Sequence, residues 1–263
     1  MPVQFQHSRG ALFDSVAAHY DRYRPLYPDE TINAVVSLSA LGPASRLLEV
    51  GCGTGQATVQ FAARGYSIDC VDPGRNLVAC ATRNCSRYPR IRFTVDTFEN
   101  AALRPRRYDL LFSAHAFHWV SPKVRLKKAA RLLTRGGCLA LLYNYPGRPE
   151  EKPLQKLGLQ LKKESRGRLG SWDYMNDIAL WSAEIASCGL FKDLTVCRHR
   201  WFKRYTAEEY VGLFRTYTDF LSLPQELQDR LARRIHTAVT RNGGWVTRPY
   251  DCLLIHARAR RGE

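Results

Sequence analysis

The sequence predicts an α/β protein whose sheet is mostly parallel and joined by crossover helices. Three observations carry this reading. Short apolar, strand-like runs alternate with helix-like ones through the first 145 residues. The first run opens into a glycine-rich turn, Gly51-Cys52-Gly53-Thr54-Gly55. The first three strands each end in or beside an acid, at Glu49, Asp72 and Asp96. A chain of 263 residues is long enough for one large domain with its own core.

In chain order, Phe13, Ala17 and Tyr20 share one face of a helix that Pro25 ends, a face that packing alone would also explain. Strands follow at 45–50 (SRLLEV), 67–72 (SIDCVD), 91–95 (IRFTV), 108–113 (YDLLFS) and 138–144 (CLALLYN). Between the last two, Ser121 is suited to cap a helix and Pro122 to open it. Leu126, Ala129, Ala130 and Leu133 supply its apolar stripe, and Gly136 its stop. Residues 146–190 read as loop and helix without strand character. Two further strands are expected near 194–202 and 250–258, with helices at about 206–220 and 224–241 between them.

Apolar residues make up 45% of the chain and charged residues 24%, which is ordinary for a globular protein. No run of eighteen apolar residues exists, so no membrane span is expected. The opening residues lack an apolar secretory core, which predicts a cytoplasmic protein. The eight cysteines include no C-x-x-C pair, and most lie in apolar runs. They read as reduced core residues, and no metal is expected. The formal net charge of +16 is the outlier. Its basic clusters, RPRR at 104–107, KKESRGR at 162–168 and RHRWFKR at 198–204, lie on separate segments without a nucleic-acid-binding motif. A solvated basic surface explains this pattern first, and a small anionic substrate fits it better than a nucleic acid does.

The glycine turn constrains its ligand. A dinucleotide fingerprint requires its third glycine three residues after the second, and a phosphate-binding P-loop requires a Lys followed by Ser or Thr after its last glycine; here the third glycine comes at Gly55, and Gln56 and Ala57 follow it. A carboxylate at Glu49 would repel a pyrophosphate but suits a cationic ligand or ribose hydroxyls. S-adenosylmethionine carries a sulfonium, an ammonium and a ribose diol. Asp72, twenty-three residues after Glu49, is placed to accept from ribose hydroxyls. Asp96 is placed to accept from the adenine amine, with Phe98 packing on the ring. Ser113, His115, His118 and Trp119, at the end of the fourth strand, surround the point where a substrate would meet that cofactor.

On these motifs (EVGCGTG, CVDPG, VDTFEN, AFHWV and the upstream FDSVAAHYDRYRPLYP) the chain resembles class I S-adenosylmethionine-dependent methyltransferases of the small-molecule type, the trans-aconitate methyltransferase-like, methyltransferase type 11 group. The similarity is good over residues 12–145, with Asp96-Thr97 standing where Asp-Ala is usual. It implies a Rossmann-like seven-stranded sheet of order 3-2-1-4-5-7-6, strand 7 antiparallel, with helices on both faces. It implies one domain over residues 1–263: N-terminal lid helices (1–44), a cofactor-binding core (45–145), a helical cap (146–190) and C-terminal strands and helices (191–263).

The same resemblance implies that S-adenosyl-L-methionine is held by Tyr20, Arg24, Glu49, Gly51, Cys52, Gly53, Gly55, Asp72, Pro73, Asp96, Thr97, Phe98 and Ser113. His115 and His118 become the catalytic candidates. The acceptor would be met by Phe13, Trp119, Tyr145, Trp172, Tyr174, Trp201, Arg215 and Tyr217. The expected acceptor is a small, apolar and anionic metabolite methylated on oxygen or carbon, acted on by a monomer or homodimer. An RNA or protein methyltransferase is the alternative that the charge favours. The Ser-Ala-His-Ala sequence after the fourth strand counts against it, because many such enzymes carry an Asn/Asp-Pro-Pro-Tyr/Phe tetrapeptide there.

Overall fold

The computed structural model describes residues 12–165, Leu169 and 174–260, with side chains in the last segment from Ile178 onward. Residues 12–15 form a helical turn. The chain breaks at Val16 (φ −116°, ψ 23°) and resumes as α1, Ala17–Tyr23. Arg24 is extended (ψ 133°), as the residue before Pro25 must be to avoid the proline ring. After α2 (Asp29–Leu38) the order is β1 (Arg46–Val50), α3 (Gln56–Ala62), β2 (Ser67–Asp72), α4 (Arg75–Asn84), β3 (Ile91–Val95) and β4 (Tyr108–Ala114). A short 3-10 turn at Phe117–Trp119 leads to α5 (Arg125–Leu132) and β5 (Leu133–Pro146). Helices α6 (Lys152–Glu164) and α7 (Tyr174–Ser187) precede β6 (Phe191–Thr206). Then come α8 (Ala207–Phe214), α9 (Thr218–Leu221), α10 (Gln225–Arg241) and β7 (Trp245–Ala259).

The seven strands form one sheet of order β3-β2-β1-β4-β5-β7-β6. The first five are parallel, and β7 runs antiparallel to both β5 and β6. Strand order and direction are those expected. β1 lies between β2 and β4: the chain first winds outward from it to β2 and β3, then returns to β4 and β5 on its other side, and this reversal opens a crevice at its carboxyl end.

Both faces of the central strands are buried, which is why they read as continuous apolar runs. On one face Leu48, Val50, Leu111, Leu139 and Ile255 pack under Ala129 and Leu132 of α5 and Trp181 and Ile185 of α7. On the other, Leu47, Ile68, Phe112, Leu142 and Leu254 pack under Ile32, Val35 and Phe61. Cys52, Cys70, Cys138 and Cys252 belong to this second face, and all eight cysteines are free thiols. A third cluster joins Leu154 and Leu161 of α6 to Leu213, Phe220, Leu231 and Ile235 of α8–α10. Among the described residues no helix is long and apolar enough to cross a membrane.

Two sequence expectations are corrected. Ser121 does not cap α5: its carbonyl accepts from the Val124 and Arg125 amides in a turn that Pro122 enters, and the helix begins at Arg125. The helix also ends at Leu132 rather than at Gly136. Leu133 already pairs with Tyr108, and Gly136 (φ +77°) lies in the bulge where the β4–β5 register shifts between Tyr108 and Leu110.

One contact made by the N-terminal segment positions it over the crevice. An Asp14 carboxylate oxygen accepts from the amides of Asn76 (2.8 Å) and Leu77 (3.0 Å) at the start of α4. It caps that helix from 62 residues away, where acceptor and negative charge are both favoured. Asp14→Ala is expected to lower unfolding stability by about 1 kcal/mol in a denaturant titration. An unchanged midpoint would contradict the capping role.

Candidate functional site

The glycine turn is shaped by close approach. Gly51 has φ +73°, and a Cβ built there would lie 2.2 Å from that of Ala116, so a side chain fails on both backbone and space. Gly53 (φ +55°) donates its amide to Asp72 Oδ2 at 2.9 Å, and Gly74 donates to Oδ1 at 2.8 Å. Asp72 thereby ties the loops after β1 and β2 together. Burial raises its pKa, and those two amides oppose the rise. Gly55 (φ +91°) is the left-handed residue that starts α3; it turns the chain and is not among the residues lining the crevice.

Glu49 is 1% exposed. Thr58, one turn into α3, donates to Oε2 at 2.5 Å, while Oε1 has no hydrogen-bond partner. Burial pushes its pKa up to about 8; the Asp72 charge adds to the rise and the Thr58 hydroxyl opposes it. At neutral pH the group is therefore mostly a neutral acid until a positive charge is brought beside it.

A cavity of 190 Å³ opens over these loops. Its walls include Phe13, Tyr20, Gly51, Gly53, Asp72, Pro73, Thr97, Phe98, His115, His118, Trp119 and Tyr217. A smaller pocket of 50 Å³ adjoins it, sharing Tyr20, Arg24, Gly51, Gly53, His115 and Tyr217 and adding Glu49, Cys52, Asn144 and Tyr250. The N-terminal segment is the roof. Phe13 meets Trp119 edge-on at 6.1 Å and Tyr20 at 5.7 Å. The Arg24 guanidinium lies 5.0 Å from the Tyr20 ring and 4.6 Å from the Tyr217 ring. It donates from Nε to Thr216 Oγ1 (2.8 Å) and from Nη2 to the Thr216 carbonyl (3.0 Å), which joins the roof to the α8–α9 corner.

The two histidines stand at the inner end. His115 is a non-glycine residue at φ +60°, and its backbone N–H donates a hydrogen bond to the Leu142 carbonyl (2.8 Å). Its ring faces those of Tyr143 at 5.4 Å, Tyr145 at 5.6 Å and His118 at 6.2 Å. Burial depresses its pKa to about 3, with the His118 and Arg24 charges adding to the effect. Burial depresses His118 to about 4, assisted by Arg125. Both are neutral imidazoles at physiological pH.

Several expected site residues lie elsewhere. Ser113 donates to the Val50 carbonyl at 2.6 Å and stitches β4 to β1, away from the cavity. Asp96 accepts the Thr97 amide at 2.8 Å and does not line the cavity, whereas Thr97 and Phe98 do. Tyr145 backs His115 without reaching either cavity wall. Trp201 stacks on Tyr250 at 4.9 Å and donates to Asn144 Oδ1 at 2.9 Å, so it supports two wall residues instead of forming the wall. Arg215 pairs with Asp229 at 3.4 Å and also stays off the walls. Trp172 lies outside the described residues, and Tyr174 is described only as the first residue of α7.

Asp14, Thr58 and Thr216 were missed. Thr58 could have been found from its place one turn after the glycines. Thr216 could not, since it meets Arg24 across 192 residues. Among the described residues no group of His, Cys, Asp and Glu could hold a metal ion.

Residues 48–141 match the methyltransferase domain family. An uncharacterized methyltransferase of Mycobacterium tuberculosis is 32% identical over 132 residues, which cover 50% of this chain and 51% of that protein. The chain thus matches about half the length of such curated relatives. Among solved structures, one assigned as a type II methyltransferase of Anaeromyxobacter dehalogenans superposes with a TM-score of 0.66 at 19% identity, over 90% of this chain and 98% of that one. Phosphoethanolamine N-methyltransferase 2 of Haemonchus contortus, with phosphomonomethylethanolamine and S-adenosylhomocysteine bound, gives 0.54 at 14% identity, over 94% and 57%. The sheet order, the glycine turn and the matched segment agree: residues 48–141 carry a methyltransferase domain, set in the sheet order of the class I S-adenosylmethionine-dependent methyltransferases.

Proposed function

We propose that this chain methylates a small, apolar acceptor that presents an anionic oxygen, a carboxylate above all, with S-adenosylmethionine as donor. The observation that carries the donor half is Glu49, whose buried Oε1 has no hydrogen-bond partner among the described residues. It lines the smaller pocket beside a turn whose Gly51 backbone lies too close to Ala116 for any side chain. That arrangement suits a cationic amino-acid moiety at Glu49, with a ribose within reach of the Asp72 carboxylate and an adenine between Thr97 and Phe98. S-adenosylmethionine supplies a methyl group already activated on a sulfonium.

The protein's own part is to align and to exclude water. Phe13, Tyr20, Phe98 and Trp119 give the cavity apolar walls. His115 and His118, neutral and weakly basic, can orient an acceptor by a hydrogen bond but are poor groups for removing a proton from an alcohol. An acceptor that is already an anion needs no such step, and this supports a carboxylate over a hydroxyl. The test is incubation with labelled S-adenosylmethionine and panels of aromatic, terpenoid and aliphatic acids, beside RNA. Label in one or more acids supports the reading. Label in RNA alone would replace it with the nucleic-acid alternative.

Two further outcomes are expected. Asp72→Ala should weaken S-adenosylhomocysteine binding by roughly 1–3 kcal/mol, the cost of leaving hydrogen-bonding groups unpaired, while NAD does not compete with the ligand in either protein. An unchanged affinity in a folded variant would remove Asp72 from the site. With both histidines neutral above about pH 4, the turnover rate should show no histidine ionisation between pH 6 and 8. A rise centred near the ordinary histidine value, absent in His115→Gln, would mean that His115 does act as a base.

A further inference from the structure

The basic residues are scattered along the sequence, yet the fold gathers four of them at the end of the sheet opposite the methyl-transfer crevice. Arg46 opens β1, Arg90 and Arg92 flank the start of β3, and Arg107 immediately precedes β4. With Ser67 and Asp69 of β2 they line a separate cavity of 220 Å³. The strand register holds them together: Arg46 lies beside Ser67, and Asp69 beside Arg92.

The charges in this cavity do not balance. Asp69 is the single carboxylate in its wall, and it is already engaged by the Tyr108 hydroxyl at 2.8 Å and by Arg107 Nε at 3.6 Å. Arg90 donates from Nη1 to the Gly65 carbonyl at 3.3 Å. The guanidinium groups of Arg46 and Arg92 have no hydrogen bond or ion pair among the described residues. The nearby Asp109 offers little compensation, since its oxygens accept from the Arg46 backbone amide (2.9 Å) and the Thr134 hydroxyl (3.1 Å). With Asp69 set against Arg107, three arginine charges around one cavity are left uncompensated and repel each other unless an anion enters.

We propose that this cavity binds a phosphate group, either inorganic phosphate or the phosphomonoester of a small metabolite. A phosphate dianion presents acceptor oxygens in several directions, and planar guanidinium forks converging from three strands can each take a pair of them. The Ser67 side chain adds a neutral donor at the wall. The wall holds no aromatic ring on which a base could stack, so a single phosphate fits it better than a nucleic-acid strand does. The site is independent of methyl transfer and stands or falls separately from it.

The experiment is calorimetric titration of the full chain with inorganic phosphate and, separately, with glycerol 3-phosphate, at an ionic strength held constant with chloride. Saturable binding of either is expected; phosphate alone identifies the free ion as sufficient, and glycerol 3-phosphate alone identifies the monoester. The Arg46→Ala/Arg92→Ala double variant should bind roughly tenfold or more weakly, as expected for loss of two charge-assisted pairs. Both arginines are exposed, and the variant should keep its melting temperature in chloride and its affinity for S-adenosylhomocysteine. Equal phosphate binding by wild type and variant would overturn the proposal. So would absence of saturable binding, or RNA binding through these arginines, with steep salt dependence, where phosphate has no effect.

Discussion

A carboxyl group buried at the end of β1 sets the conditions for everything around it. Glu49 has one oxygen held by Thr58 and the other without a partner, in surroundings that favour its neutral form. A buried polar atom left unsatisfied is costly, and a fold keeps one where a ligand completes it. The neighbouring features serve that position. The strand order reverses at β1, the Gly51 backbone passes within a side chain's width of Ala116, and Asp72 pins the Gly53 and Gly74 amides so that both loops keep their shape. The ligand chemistry thus follows from where one acid is buried and what surrounds it.

The roof depends on this floor through contacts that are long in sequence and short in space. Asp14 caps α4, Asn84 at the end of α4 donates to Asp21 at 2.6 Å, and Arg24 is fastened to Thr216. The N-terminal segment therefore bridges the cofactor core on one side and the C-terminal helices on the other. Those helices bury their own cluster, with the Tyr205 and Tyr250 hydroxyls 2.7 Å apart at its base. Donor and acceptor ends of the cavity are held by different parts of the chain, and α1 is the element common to both.

Much of this was legible in the sequence. Strand-like runs alternating with helix-like ones placed the strands at 67–72 and 91–95 to the residue, although β3 is a half-exposed edge strand. The glycine turn stood out because close backbone approach restricts residue type at fixed places, and Asp72 because an acid ends the second strand. What failed had physical causes. Ser113 and Asp96 sit at or just past strand ends as expected, but neither lines the cavity: Ser113 turns to the Val50 carbonyl and one Asp96 oxygen to the Thr97 amide, partners that residue type does not reveal. The long β5 begins at Leu133 because pairing with Tyr108 outweighs the helical stripe that ends there. Trp201, Arg215 and the gathered arginines at 46, 90, 92 and 107 acquire their surroundings only from tertiary contacts.

The central claim, that Glu49 is a neutral buried acid awaiting a cation, is tested most directly by proton release. A folded-state pKa raised to about 8 means that the ligand-free protein carries this proton at pH 7, and that the stability it confers is lost as pH rises from the unfolded value through about 8. A cation placed beside Oε1 lowers that pKa and expels the proton. Calorimetric titration with S-adenosylhomocysteine at pH 7, in buffers of differing ionisation enthalpy, should then show release of about one proton by the wild type and none by Glu49→Gln. Equal proton release by both proteins, or none by the wild type despite tight binding, would contradict the account.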